Sequence, residues 1–213
     1  MTDLSTAPTP IMDRLRDATA EAHKQAEQRP LMRAIARGSV TPEAYRAHLE
    51  QLLLVHRALE GALARAAASG QPGWEALALG ERRREADLEA DLRVHGGSLS
   101  PAPLPATTAA IAEIHVAVPA ELLGMFYVTE GSTNGGRFLV KKVAQGLGLE
   151  PAAREGLRAL DPYGAEQPAR WAAFKGAVNA LPLTPEARGA MERGATRMFQ
   201  LLGAVADQVA PAA

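Results

Sequence analysis

Gly124-Met-Phe-Tyr-Val-Thr-Glu-Gly131-Ser-Thr-Asn-Gly135-Gly136-Arg-Phe-Leu-Val-Lys-Lys142 is the stretch whose reading decides the fold. Its flanks, Ala120 to Tyr127 and Arg137 to Leu147, contain no proline and read as helix, so Gly131, Gly135 and Gly136 fall within one. Each glycine inside a helix costs about 1 kcal/mol relative to alanine. Three within six residues make a poor structural helix. Gly131 and Gly135 are four apart and share a face, which leaves a strip of bare backbone beside Ser132 and Asn134. Such a strip admits something flat and bulky close to the main chain, or another helix.

Composition narrows the choice. The 213 residues fit one large domain or two small ones. With 23 basic and 24 acidic residues the net charge is -1, so no global field favours nucleic acid or an anionic membrane. Cysteine is absent. That excludes disulfides, thiolate nucleophiles, iron–sulfur ligation, thiolate-ligated haem and covalent c-type haem attachment, and any metal must be held by His, carboxylates or water. The N-terminus lacks the basic and apolar regions of a signal peptide. No segment approaches the roughly 18 uninterrupted apolar residues of a membrane span. These observations predict a soluble, cytoplasmic protein.

Ala, Leu, Glu and Arg dominate, aromatic residues are only 4% of the chain, and β-branched runs are scarce, which predicts an all-α domain. Thr9-Pro10, Thr41-Pro42-Glu43 and Thr184-Pro185-Glu186 each place a capping hydroxyl before a first-turn proline. Helices are expected at about 10–28, 42–67, 74–94, 106–117, 119–147, 165–179 and 185–208. No repeat and no long linker divides the chain. The expected organisation is a disordered arm over 1–9 and one helical domain over 10–209.

In the first helix Ile11, Leu15, Ala18, Ala22 and Ala26 form an apolar stripe, and His23 borders it. Thr19, His23 and Glu27 follow at four-residue steps, and Arg16 lies two turns before His23 on nearly the same side. A neutral imidazole is a common iron ligand, and Glu27 or a bridging water can fix its tautomer. Taken alone, His23 reads first as a surface or half-buried histidine. His48 and His56, eight apart on one helix, lack an intervening ligand at chelating spacing. There is no GxxxxGK[ST] loop, and the GxxxGG run neither follows a strand nor matches GxGxxG. Glu130, Ser132, Asn134, Arg137 and Lys141 rule out a membrane-dimer reading of Gly-x-x-x-Gly. Arg82-Arg83-Arg84-Glu85 and Lys141-Lys142 read as solvated helix faces, with an acidic redox partner as the functional alternative.

Two separated segments change this balance. Leu15-Arg16-Asp17-Ala18-Thr19-Ala20-Glu21-Ala22-His23-Lys24-Gln25-Ala26-Glu27, followed by Leu31-Met32, resembles the proximal helix of haem oxygenases. Phe126-Tyr127-Val128-Thr129-Glu130-Gly131-Ser132-Thr133-Asn134-Gly135-Gly136-Arg137 is similar to the kinked distal helix of that family, at a matching distance of about 110 residues. Phe174-Lys175 and Asn179 to Thr184 resemble its C-terminal haem-contacting region. The resemblance runs from about Ile11 to Val209 and implies a haem oxygenase-like helical bundle.

The resemblance further implies that b-type haem is both cofactor and substrate, lying between the two helices with His23 on iron. Gly131, Ser132, Thr133, Asn134 and Gly135 would border the oxygen side. Thr19, Glu27, Phe126, Tyr127 and Gly136 would line the haem, and Arg16 and Lys175 would hold its propionates. O₂ and external electrons, from a reductase or ferredoxin, would open the ring to biliverdin, carbon monoxide and ferrous iron. Animal members carry an aspartate directly after the first distal glycine; here the position is Ser132. Bacterial members that feed phytochromes have a similar Glu-Gly-Ser-Thr run, which implies a phytochrome recipient. Lys141-Lys142 sits one residue further from the glycine pair than the basic pair of animal members, so no docking role carries over by position. The alternatives are a non-degradative haem carrier or sensor on the same fold, and a helix-interaction module using the glycine strip. A thiaminase-like role would want the missing cysteine.

Overall fold

Two of the three threonine–proline pairs cap helices as expected. The Thr41 hydroxyl accepts from the Ala44 N–H at 3.2 Å and the Thr184 hydroxyl from the Ala187 N–H at 3.2 Å. Each satisfies a donor the helix itself leaves orphaned, worth about 1 kcal/mol. At the first helix Pro10 itself takes the cap position, and no side chain caps it. The structure is a computed structural model that describes residues 9–150 and 154–209; positions 1–8 of the expected arm lie outside the described residues.

Among the described residues the regular structure is helical throughout: α1 (Ile11–Glu27), α2 (Pro30–Arg37), α3 (Pro42–Ala68), α4 (Glu85–Val94), α5 (Pro105–Val116), α6 (Pro119–Leu147), α7 (Gln167–Asn179) and α8 (Pro185–Val209). The all-α expectation holds. None of these helices is long and apolar enough to cross a membrane.

Two expectations change. Residues 30–37 form α2, with Pro30 in the first turn and Gly38 closing it in the left-handed conformation at φ 69°. The expected helix over 74–94 is instead two 3-10 turns, Trp74–Leu77 and Leu79–Arg82, followed by α4. The cause is tertiary. Arg82 and Arg84 are buried, 4% and 5% exposed, and converge on Glu130 of α6, itself 1% exposed. The Tyr163 hydroxyl completes the group, 3.0 Å from each Glu130 oxygen. Arg82 and Arg84 therefore do not belong to a solvated face. Arg83 stays outside, bonded to Glu60 at 3.0 Å and Glu85 at 2.8 Å. Buried charges persist only when paired and hydrogen-bonded, and here they fasten the 74–84 segment to α6.

That helix organises the fold. At 29 residues it is the longest described, about 43 Å from end to end. Its N-terminal half contributes Leu122, Leu123, Met125, Phe126 and Val128 to a core shared with α1, α3, α5, α7 and α8. Its C-terminal half contributes Val140, Val143 and Ala144 to a second core with α2, α3 and α4. Burying each large apolar side chain contributes about 1.5–3 kcal/mol, so both halves are firmly held. Gly131 and Gly135 lie between them.

Candidate functional site

α6 carries Gly124, Gly131, Gly135 and Gly146 at spacings of 7, 4 and 11 residues, all of which return to nearly one face of an α-helix. At the two ends this glycine stripe is covered by protein. A Cβ on Gly124 would run into the Met191 carbonyl of α8, and one on Gly146 into the Gly38 carbonyl that closes α2. Gly194 of α8 answers Gly124 by packing on the Glu121 carbonyl. In the middle the stripe behaves differently. A Cβ on Gly131 would meet only the edge of Trp171, at 3.6 Å, and one on Gly135 would meet no protein atom within 4 Å.

α1 approaches this middle section through Tyr127, one turn before Gly131. The Tyr127 phenol is pushed up by burial, and the Thr19 hydroxyl bonded to it and the nearby Arg16 guanidinium pull the other way. Thr19 is 3% exposed and also donates to the Leu15 carbonyl at 2.7 Å. One turn beyond Thr19, the His23 imidazole is 60% exposed, with its Nδ1 3.6 Å from a Glu27 carboxylate oxygen. This leaves Nε2 as the nitrogen available to a ligand. Phe199 of α8 meets the imidazole edge-on, with centroids 5.5 Å apart. α7 supplies Trp171, 6.0 Å from Tyr127, and Phe174, 5.6 Å from Trp171 and 5.7 Å from Phe126. Phe126 and Phe174 are core residues that support this wall, 4% and 1% exposed.

The other candidate residues separate by their contacts. Ser132 is exposed and donates its hydroxyl proton to the Thr129 carbonyl at 2.7 Å, so what it offers outward is acceptor lone pairs. Asn134 donates to the Gly131 carbonyl at 3.1 Å, and its own oxygen accepts from buried Gln167 at 3.1 Å. Thr133 is 2% exposed and donates to the Glu130 carbonyl at 2.7 Å. It stands two residues from both Gly131 and Gly135, about 160–200° around the helix, so its hydroxyl is withdrawn from the glycine face. Gly136 packs against the Leu160 carbonyl, a close approach to protein. Arg16 is exposed and engaged by Asp17 at 2.9 Å and Asp13 at 3.2 Å. Lys175 is exposed and makes no ion pair among the described residues.

Trp171, Phe199 and Gln167 escaped the sequence reading. An aromatic pair three apart on one helix, Trp171 and Phe174, was the available signal for the first; nothing local points to the other two. Among the described residues no three His or carboxylate side chains cluster as a metal cage. A lone imidazole suits iron whose other positions are filled by ring nitrogens. Two cavities, of about 700 and about 770 Å³, lie away from these residues. The first is crossed by the ion pairs Arg193–Glu121 at 3.3 Å and Arg197–Glu113 at 2.7 Å, and neither is lined by a histidine.

Comparison with known proteins identifies the family of the chain. A family profile described as Heme oxygenase matches residues 9–208. Heme oxygenase 1 of Bos taurus is 28% identical over 193 residues, covering 86% of this chain and 66% of the relative, so the chain spans just under two thirds of its length. The structure of heme oxygenase from Leptospira interrogans matches with TM-score 0.85 at 23% identity, over 94% of this chain and 100% of that one. Heme oxygenase-2 from Synechocystis, solved in complex with heme and NO, matches with TM-score 0.85 at 23% identity, over 94% of this chain and 85% of its own. The solved structures establish the shared fold, and the profile, matched over nearly the whole length, establishes the family. This chain belongs to the heme oxygenase family.

Proposed function

We propose that this chain cleaves haem with O₂ and external electrons to biliverdin, carbon monoxide and ferrous iron, holding the ring between α1 and the middle of the glycine stripe. The observation that carries this reading is the stripe itself. Its ends are glycine because backbone presses on them, whereas Gly131 and Gly135 answer to no backbone contact. A flat ring against bare helix accounts for both.

When bound, haem supplies the iron that activates O₂ and the ring that is opened. The remaining tasks fall to the chain. Nε2 of His23 would hold the iron, and Glu27, 3.6 Å from Nδ1, would orient the imidazole. Gly131 and Gly135 would let the helix backbone come close to the ring. The lone pairs of Ser132 accept hydrogen bonds from ordered water there, doing by acceptance what a carboxylate does in animal members. Gln167 clamps Asn134, which holds the Gly131 carbonyl and keeps the strip in register. Lys175, having no competing carboxylate, is the freer of the two cations for a propionate; Arg16 must first exchange Asp13 and Asp17.

Electrons come from a reductase or ferredoxin. Arg33 and Arg37 on α2 and Arg137, Lys141 and Lys142 on α6 are exposed and without ion pairs among the described residues, and Phe138, 69% exposed, lies under the Arg137 guanidinium at 4.4 Å. An acidic donor complements that surface. A phytochrome as recipient of the biliverdin rests on the Glu130 to Thr133 run alone.

Absorption spectra of the protein titrated with haem, then given a reductant and air, test the proposal. The wild type should bind one haem with nitrogen ligation and convert it to biliverdin. His23→Ala should lose the axial nitrogen and turnover while the apo protein keeps its stability, because the imidazole is largely exposed. Unchanged ligation and turnover in His23→Ala would mean another residue holds the iron. Stable haem binding without biliverdin would make the chain a carrier.

A further inference from the structure

Trp171 stands where the covered part of the stripe gives way to the bare part. Its indole edge is the first protein atom a Cβ on Gly131 would meet, at 3.6 Å, whereas Gly135 has no such neighbour. The indole is also held. It neighbours the Tyr127 ring at 6.0 Å and the Phe174 ring at 5.6 Å, and Phe174 is fixed in the core at 1% exposure. A stiff aromatic side chain held against two other rings swings clear less readily than a leucine or methionine would. A flat ligand over Gly131 and Gly135 would thus meet the indole at the Gly131 end, whereas no protein atom comes within 4 Å of a Cβ at Gly135.

We propose that Trp171 is a specificity-determining residue, whose indole stops the macrocycle from sliding towards α7 and so selects which meso carbon faces the oxygen side. The inference rests on the haem reading above. It assigns the in-plane position to an apolar stop rather than to charge alone. Arg16 is already engaged by two carboxylates and Lys175 is a single flexible cation, so neither fixes a ring in two dimensions. Trp171 acts on position and leaves the axial ligand untouched, so its removal should redistribute products more than it slows their formation.

The test uses the whole protein and two readouts. In the first, the indole N–H resonances of Trp171 and Trp74 are followed by NMR during titration with zinc protoporphyrin, which is diamagnetic and undergoes no turnover. Trp74, 6% exposed in the 3-10 turn at 74–77, serves as the internal reference, and Trp171→Phe assigns the peaks. The ring current should move the Trp171 resonance several times further than that of Trp74. In the second, biliverdin isomers from wild type, Trp171→Phe and Trp171→Ala are separated by chromatography. The wild type and Trp171→Phe should give one dominant isomer, and Trp171→Ala a mixture. An unshifted Trp171 resonance in a protein that binds the porphyrin overturns the inference, as does an unchanged isomer from Trp171→Ala. Should Trp171→Ala fail to fold, Trp171→Leu takes its place with the same expected mixture, and the wild-type titration decides the inference without any variant. A protein that binds no porphyrin at all defeats the haem reading instead, and the two failures are told apart at the titration.

Discussion

At Gly124 and Gly146 the glycine face of α6 meets the backbone of α8 and the closing residue of α2; between them, at Gly131 and Gly135, the same face meets one indole edge and nothing more. The residue type is shared but its cause is not. At the ends glycine is imposed by packing, since a methyl group would displace a main-chain carbonyl. In the middle alanine would fit the protein and favour the helix by about 1 kcal/mol per position. The chain forgoes that stability where it gains no protein contact in return. Glycine whose cost no packing offsets is a sign of function, and glycine under backbone contact is not.

The largest effect that separates the two classes should come from Gly124→Ala. Overpacking costs about 1–3 kcal/mol, and the upper end applies because the obstacle is the Met191 backbone and not a flexible side chain. Urea denaturation of the apo protein should show this loss, while the haem affinity of the folded fraction stays unchanged. Equal effects on folding and on haem binding would erase the distinction.

A smaller effect concerns the charges at the rim of the middle section. Lys175→Ala should weaken haem binding by up to about fivefold, the range of an exposed ion pair. Arg16→Ala should weaken it less, because Asp13 and Asp17 already occupy the guanidinium. Haem titrations of both variants give the order, and a larger loss at Arg16 would show that its two carboxylates release it readily.

The smallest effect lies behind the stripe. Gly136 packs on Leu160, and the turn that carries Leu160 is fastened by Asp91, which accepts from the Arg158 and Ala159 N–H groups at 2.9 and 2.8 Å. Burial pushes the Asp91 carboxyl up to about 6 from 3.8, against the pull of those two bonds. A folded-state value above the unfolded one favours the protonated fold, so its contribution is fully present below about pH 4 and is lost as pH rises through about 6. The melting temperature of the wild type should therefore fall relative to that of Asp91→Asn across this window, with haem affinity per folded molecule unaffected. A constant difference between the two proteins would show that Asp91 ionises in the fold as it does in the unfolded chain.

Local signals carried much of the fold. Thr41-Pro42 and Thr184-Pro185 start helices where their chemistry says they should, and α6 runs over the full predicted span, 119–147. α2 escaped because Pro30 reads as a stop after α1, although a proline in the first turn starts a helix equally well. The 74–84 segment escaped for a different reason: the carboxylate that pulls Arg82 and Arg84 inward is Glu130, more than forty residues away. The site divides in the same way. The four-residue steps of Thr19, His23 and Glu27, and of Gly131 and Gly135, are helix arithmetic. Thr133 was open to that arithmetic too, since two residues from Gly131 is the far side of the helix. Gly136 was not, because Leu160 reaches it across the fold, and the Trp171 wall likewise exists only once α7 lies beside α6.

The central claim, that the middle of the stripe is bare for haem, is met most directly by Gly135→Leu studied in two states. In the apo protein leucine meets no protein atom at its Cβ and favours the helix, so the urea midpoint should hold or rise, by up to about 1 kcal/mol in stability. With haem the same variant should lose affinity and fail to form biliverdin. A Gly135→Leu protein that binds haem as tightly as the wild type and turns it over at full rate would contradict the account.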